Sequence, residues 1–216
     1  IAQQFAETLG IPVEDVVPSV GDTDAIGYTA NTAGSSVAFK TGWVAVESAN
    51  DIKRQMIHRA SLLWGVPVEG IEYLDAVVQH KTDSELRSTF KDIAASASET
   101  GGPIVGRSSM NVKGSLGSYS ANIVDVSVDI ETGKVDILRY TAFQDTGTTI
   151  HPSYVEGQIQ GGSVQGIGWA LNEEYYMSDD GQMLNPNFLD YRMPITLDLP
   201  MIDTVLIEVP NPSHPF

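Results

Sequence analysis

The segment Val155-Glu-Gly-Gln-Ile-Gln-Gly-Gly-Ser-Val-Gln-Gly-Ile-Gly-Trp169 limits what this chain can fold into more than any other stretch. The run from Pro152 to Leu171 reads as a helix, with proline at its start, where the missing N–H costs nothing. Yet Gly157, Gly161, Gly162, Gly166 and Gly168 sit in or near it. Each costs ~1 kcal/mol relative to alanine in a helix interior, so the set costs roughly 4–5 kcal/mol. Something must offset that. Either another backbone or a cofactor packs closely against the glycine face, or the segment is not helical throughout. Gln158 lies on the same stretch and can donate and accept hydrogen bonds at once, which suits the edge of a heterocycle or an oxo ligand. The alternative is tight helix–helix packing with Gln158 exposed.

The rest of the chain mixes two periodicities. Ile1, Phe5 and Leu9 fall at i, i+4 and i+8, a helix stopped by Gly10 with Pro12 beyond. Val37, Val44, Ile52, Met56, Ile57, Ala60 and Leu63 keep one face apolar over a long helix that ends at Gly65, with Ser35 or Ser36 as its N-cap. A short helix is expected over Phe90–Ala97. Strands are expected at Val13–Val20, as a small pair within Ile71–Gln79, at Tyr119–Ile130 and Val135–Phe143, and at Thr204–Val209; 104–112 can be extended. Glu131-Thr-Gly-Lys134 and Ser178-Asp-Asp-Gly181 read as hairpin turns. The mixture predicts an α+β (mixed α/β) fold with mixed sheets packed against long helices. The expected division gives subdomains at 1–100 and 101–216, near Gly101-Gly-Pro103. The chain opens inside a helical pattern and closes on Asn211-Pro-Ser-His-Pro-Phe216, so the expectation is a piece of a longer polypeptide.

Composition removes several functions. In 216 residues there are 28 acidic and 12 basic side chains, a net charge of −16. Nucleic acid and anionic membrane surfaces both require clustered Lys and Arg, so neither is an expected partner. There is no cysteine, which removes disulfides, iron–sulfur ligation, thiolate zinc and a cysteine nucleophile from this chain. His58, His80, His151 and His214 show no metal-ligand spacing, and no metal ligand is assigned. No run reaches the ~20 apolar residues of a membrane span.

Phosphate-loop, nucleophile-elbow, zincin and dinucleotide motifs are absent. Besides the glycine-rich run, one candidate remains: Asn31-Thr-Ala-Gly-Ser-Ser36, small and hydroxylated, directly before the long helix. A helix N-terminus carries free N–H groups and about half a positive charge, so this loop can wrap an anion or serve only as a cap. Asp22/Asp24, Glu173/Glu174 and Asp179/Asp180 read as solvated turn or surface pairs. Trp43, Trp64 and Trp169 read as core or interface residues, and His151 as loop structure before Pro152.

Several of these stretches occur together, and in order, in one family. Leu9-Gly-Ile-Pro-Val-Glu-Asp15, Gly21-Asp-Thr-Asp24, Thr32-Ala-Gly-Ser-Ser36, Gly133-Lys-Val135, Asp145-Thr-Gly147 and Ile150-His-Pro152 come first. Val155-Glu-Gly-Gln-Ile-Gln-Gly-Gly162 with Gln165-Gly-Ile-Gly168, then Leu184-Asn-Pro-Asn187, Asp190-Tyr191 and Pro210-Asn-Pro212, follow. The chain resembles the molybdopterin-binding large subunit of the xanthine dehydrogenase, aldehyde oxidase and carbon monoxide dehydrogenase family. The resemblance implies that Thr32, Ala33, Gly34, Ser35 and Ser36 line a molybdenum–molybdopterin cofactor, in its cytosine dinucleotide form. It implies that Gln158 approaches the molybdenum or pterin, with Gly161 and Gly162 allowing the close approach. It further implies a cytoplasmic, oligomeric oxidoreductase acting on a small-molecule substrate. Iron–sulfur clusters and FAD would sit in partner domains or subunits.

Two of the family's motifs are missing. The Gly-Gln-Gly cofactor loop would precede Ile1, and the general-base Glu would follow Phe216. No catalytic residue is therefore assigned, and the expected role is part of a cofactor site, inactive alone. The contrasting reading is a non-catalytic binding or assembly module that keeps the fold without molybdenum.

Overall fold

The computed structural model describes residues 1–24, 27–28, 31–112 and 117–216. They group into two compact units: Ile1–Gly114 with Pro212–Phe216, and Ser115–Asn211.

The first unit is built on two helices. α1, Ala2–Leu9, ends at Gly10 in the left-handed conformation. Glycine is required there twice over, because φ is +71° and a Cβ would press on the Asp75 backbone. α2, Val37–Trp64, is the long helix the sequence predicts and stops at left-handed Gly65. Three short strands follow: β1, Ile71–Leu74, β2, Val77–His80, and β3, Arg87–Thr89. They form an antiparallel sheet in the order β1-β2-β3. Asp75 and Ala76, both with positive φ, make the two-residue turn between the first two. α3, Phe90–Ala95, starts at Thr89, whose hydroxyl accepts from the Asp92 N–H while the Asp92 carboxylate accepts from the Thr89 N–H.

Met56 and Ala60 of α2, Ile71 and Val78 of the sheet and Ile93 of α3 form the buried core. Fully burying a Val, Ile or Met side chain contributes roughly 1.5–3 kcal/mol. Pro212–Phe216 returns to α2. The His214 ring stacks on Phe39 at 4.5 Å and meets Trp43 edge-on at 5.3 Å. Its Nε2 donates to the Phe39 carbonyl, 2.9 Å away, and its Nδ1 accepts from the Phe216 N–H.

The second unit has a three-stranded sheet in the order β4-β5-β6. β4, Ser120–Val128, pairs antiparallel with β5, Val135–Asp145, with a register shift at Asp125/Val126. The Asp129 carboxylate caps the intervening turn by accepting from the Glu131 and Thr132 N–H groups. The chain then crosses through α4, Pro152–Leu171, to β6, Ile202–Ile207, which runs parallel to β5. A parallel neighbour needs such a crossover. α4 packs on β5 and β6. Ala142, Ile167 and Ile202 are the buried apolar residues described in this unit, whereas Ile123, Val124, Val126 and Val128 of β4 remain exposed.

Several sequence expectations change. Val13–Val20 is not a strand: Val13–Asp15 forms one 3₁₀ turn, and the following residues pair with nothing. Pro18 removes a ladder donor there, and Val17 and Val20 face solvent. Residues 104–112, which the sequence allows to be extended, join no sheet. Their backbone is held by α2 instead, through Gln55 to the Val105 carbonyl (2.9 Å) and the Arg107 N–H to Asp51 (3.1 Å). β3 is unanticipated, because Arg-Ser-Thr carries no apolar alternation. The helix expected over Phe90–Ala97 ends at Ala95 and tightens into a 3₁₀ turn, and β6 begins two residues before its predicted start.

Candidate cofactor-binding segments

The loop ahead of α2 takes an unusual backbone path. Gly34 has φ of +64° and Ser35 has φ of +51°, a conformation an L residue rarely adopts. Ser36 holds the N-cap position, yet its side chain does not cap the helix. Its hydroxyl donates to the Ala33 carbonyl at 3.0 Å, closing the loop on itself. The first-turn N–H groups of α2 are thus left without a side-chain acceptor. Thr32, Ala33, Gly34 and Ser35 are exposed, and Ser36 is half-buried.

α4 is helical without interruption, so of the two explanations for its glycines the broken helix is removed. Gly157, Gln158, Gly161, Gly162, Gln165, Gly166 and Trp169 lie at spacings of three and four and form one exposed stripe. At Gly157, Gly161, Gly162 and Gly166 an added Cβ would meet nothing within 4 Å. Among the described residues, packing explains Gly168 alone of the five, where a Cβ would strike the Glu173 carboxylate and the Pro194 ring. The opposite side of the helix anchors it to the sheet, with Ile167 buried and Gln160 donating to the Ile202 carbonyl at 3.2 Å. Four glycines and Gln158 therefore present a smooth, open surface to which this chain supplies no partner among its described residues.

At the N-terminal end of α4, His151 stacks on Tyr154 at 3.9 Å, and its Nδ1 lies 3.2 Å from the Ser153 hydroxyl. The preceding turn is tied down by the Thr149 N–H donating to Glu208 at 2.7 Å, and the Thr149 hydroxyl, with that N–H, holds the Glu208 carboxyl below the usual range.

At the other end, Glu173 is not the solvated carboxylate the sequence suggests. It accepts from the Tyr191 hydroxyl at 2.6 Å, and Tyr175 stacks on Tyr191 at 5.4 Å. The hydrogen bond to Glu173 raises the Tyr191 phenol well above its usual range. No local pattern marks this network, because its members are eighteen residues apart. Gln165 joins the stripe too, as the helical period implies.

The loop Thr32–Ser36 belongs to the first unit, and Gln158, Gly161 and Gly162 belong to the second. Each fits the pterin role by its own chemistry: one offers unsatisfied helix-start donors beside hydroxyls, the other an uncluttered backbone beside a free amide.

Comparison with known proteins supplies the family. The molybdopterin cofactor-binding domain family matches residues 1–200, and the chain belongs to it. A xanthine dehydrogenase molybdenum-binding subunit of Escherichia coli is 31% identical over 221 residues, covering 100% of this chain and 29% of that protein. A carbon monoxide dehydrogenase large chain of Afipia carboxidovorans is 30% identical, covering 99% of this chain and 27% of that one. Among solved structures, reconstituted CO dehydrogenase from Oligotropha carboxidovorans matches with a TM-score of 0.88 at 26% identity over 99% of this chain and 27% of that chain. Quinoline 2-oxidoreductase from Pseudomonas putida matches with a TM-score of 0.83 at 28% identity, over 99% of this chain and 28% of that chain. The α+β architecture is therefore the one these enzymes share, and the chain spans under a third of their length.

Proposed function

We propose that this chain is part of the large subunit of a molybdenum hydroxylase, and that it supplies two of the surfaces that hold the molybdenum–pterin cofactor. The observation that carries the reading is the open stripe on α4, where four glycines with empty space above them flank an unpartnered Gln158. A helix accepts roughly 0.8–1 kcal/mol per glycine, and nothing among the described residues offsets that at those four positions. In this reading Gln158 hydrogen-bonds the cofactor or an oxo ligand, and Gly161 and Gly162 let the pterin approach the helix backbone. Thr32 to Ser36 present backbone N–H groups and hydroxyls to the pterin or its phosphates, in the cytosine dinucleotide form. The cofactor, when bound, supplies the two-electron chemistry that inserts a water-derived oxygen into a substrate carbon or oxidises CO.

The parent subunit, in this proposal, carries the general-base Glu and the remaining cofactor loop outside these residues. It works in the cytoplasm within an oligomer, beside iron–sulfur and FAD domains or subunits that remove electrons. The two subdomains, 1–100 and 101–216, belong to the same proposal. Among the described residues no helix is long and apolar enough to cross a membrane.

The test is steady-state kinetics of the parent enzyme and its Gln158→Ala variant, normalised to molybdenum. A lost buried hydrogen-bond partner costs ~1–3 kcal/mol. If that falls on the transition state, the rate drops roughly five- to 150-fold. Equal rates per molybdenum place Gln158 outside the working site.

A further inference from the structure

Away from the glycine stripe, the first unit has a cleft of about 410 Å³ lined by Arg54, Gln55, His58, Arg59, Thr100 and Gly101. That volume lies in the ~300–1,000 Å³ span of small-molecule sites. We infer that this cleft binds a phosphate group, held by the guanidinium groups of Arg54 and Arg59.

The chain has 28 acidic side chains against 12 basic ones, so most of its surface repels anions. This cleft reverses the balance: its walls carry two guanidinium groups and an imidazole, and no carboxylate lines it. Arg54 and His58 are one helical turn apart on α2, and Arg59, the next residue, lines the same cleft.

Arg59 Nη1 donates to the Thr100 carbonyl, and the Thr100 hydroxyl lies 3.3 Å away. Gly101 has φ of +123°, and a Cβ there would fall 2.6 Å from Arg59 Nη1. A side chain at position 101 would therefore crowd the guanidinium, and glycine leaves it room against the turn. Its orientation is set before any ligand arrives, which removes part of the ordering cost of binding. One edge of the planar fork is used by the turn and the other is left over, and that fork matches a phosphate in bidentate geometry.

The acid nearest to Arg54 is already committed. Asp51 pairs with Arg54 at 3.1 Å, and it also accepts from the Gln55 amide at 2.9 Å and the Arg107 N–H at 3.1 Å. Three donors share its charge. Arg54 itself is 65% exposed, so its guanidinium can turn to a ligand without unpacking the helix. Gln55, fixed by Asp51 and the Val105 carbonyl, closes the floor. The source of the phosphate is either free inorganic phosphate or the monoester group of a phosphorylated small molecule.

This inference does not depend on the cofactor reading, and its readout is binding rather than turnover. Isothermal titration of the intact protein that carries this chain, with inorganic phosphate, glycerol 3-phosphate and acetate in turn, is the experiment. Both phosphates are expected to bind and acetate to bind more weakly. Arg54→Gln, which removes an exposed charge and leaves the Arg59 turn intact, is expected to weaken phosphate binding by about tenfold or more. Arg59→Gln is expected to abolish it. If Arg59→Gln fails to fold, Arg54→Gln decides the matter alone. Tighter binding of glycerol 3-phosphate than of phosphate identifies a phosphorylated small molecule, and equal binding identifies free phosphate. No binding to the wild type, identical binding to wild type and Arg54→Gln, or acetate binding as tightly as phosphate would overturn the assignment.

Discussion

Alanine at two helical glycines should move stability in opposite directions. Gly42 lies inside α2 and is buried. A Cβ there would fall on the side-chain amide of Gln4. Gln4 is 1% exposed, donates to the Ala38 carbonyl at 3.2 Å, and has an Oε1 with no partner. It has little room to retreat. Overpacking costs ~1–3 kcal/mol, and losing the Ala38 bond adds ~1 kcal/mol. Alanine returns ~1 kcal/mol through helix propensity. The net expectation for Gly42→Ala is a destabilisation of about 1–3 kcal/mol, or roughly 2–12 °C in Tm at ~2–4 °C per kcal/mol. Gly161→Ala meets nothing within 4 Å, so only the propensity gain remains. That variant should gain about 0.5–1 kcal/mol and melt roughly 1–4 °C higher. Thermal denaturation of the purified chain followed by circular dichroism reads both. The Gln4→Ala/Gly42→Ala double variant should recover part of the loss, because the two sites share one space. Shifts of the same sign at Gly42 and Gly161, or strictly additive effects of Gln4 and Gly42, refute the packing argument.

Thr89→Ala should remove the hydroxyl that caps α3 and cost ~0.5–2 kcal/mol, read as a lower midpoint in urea with an unchanged slope. Tyr73 donates to the Leu9 carbonyl at 2.7 Å, and burial pushes its phenol up to about 12 from 10.0. The fold favours the neutral form, so this contribution is complete below pH 10 and is lost as pH rises through about 12. Tyr191 also titrates late, so the test is a difference: tyrosinate absorbance should lose one phenol's worth of late titration in Tyr73→Phe, and a wild-type curve that superimposes on the variant's would remove the assignment.

Much of the fold can be read from residue spacing. α2 and the β4–β5 hairpin follow from period and turn chemistry, and α4 was recognised despite its glycines. The misreadings have physical causes. Val13–Val20 has strand composition, but Pro18 and the lack of a neighbouring strand leave it unpaired. β3 exists because β2 offers it a ladder, a tertiary reason invisible in three polar residues. In the candidate segments, the sequence located both stretches but not their local geometry. Left-handed Ser35 and a Ser36 hydroxyl turned back on Ala33 are products of loop closure. The Glu173–Tyr191 bond and the Arg59–Thr100 contact join residues distant in sequence, and no local pattern announces either.

In the proposed function, the smooth face of α4 is kept clear for a cofactor. Molybdenum per polypeptide, measured by elemental analysis on the intact parent protein and on its Gly162→Leu variant, tests it most directly. In this chain the position has open space around it, so a leucine there should leave the helix and its packing on the sheet intact, with an unchanged circular dichroism spectrum. The wild type should hold stoichiometric molybdenum and the variant little or none. Full molybdenum in a folded Gly162→Leu protein, or none in the wild type, would contradict it.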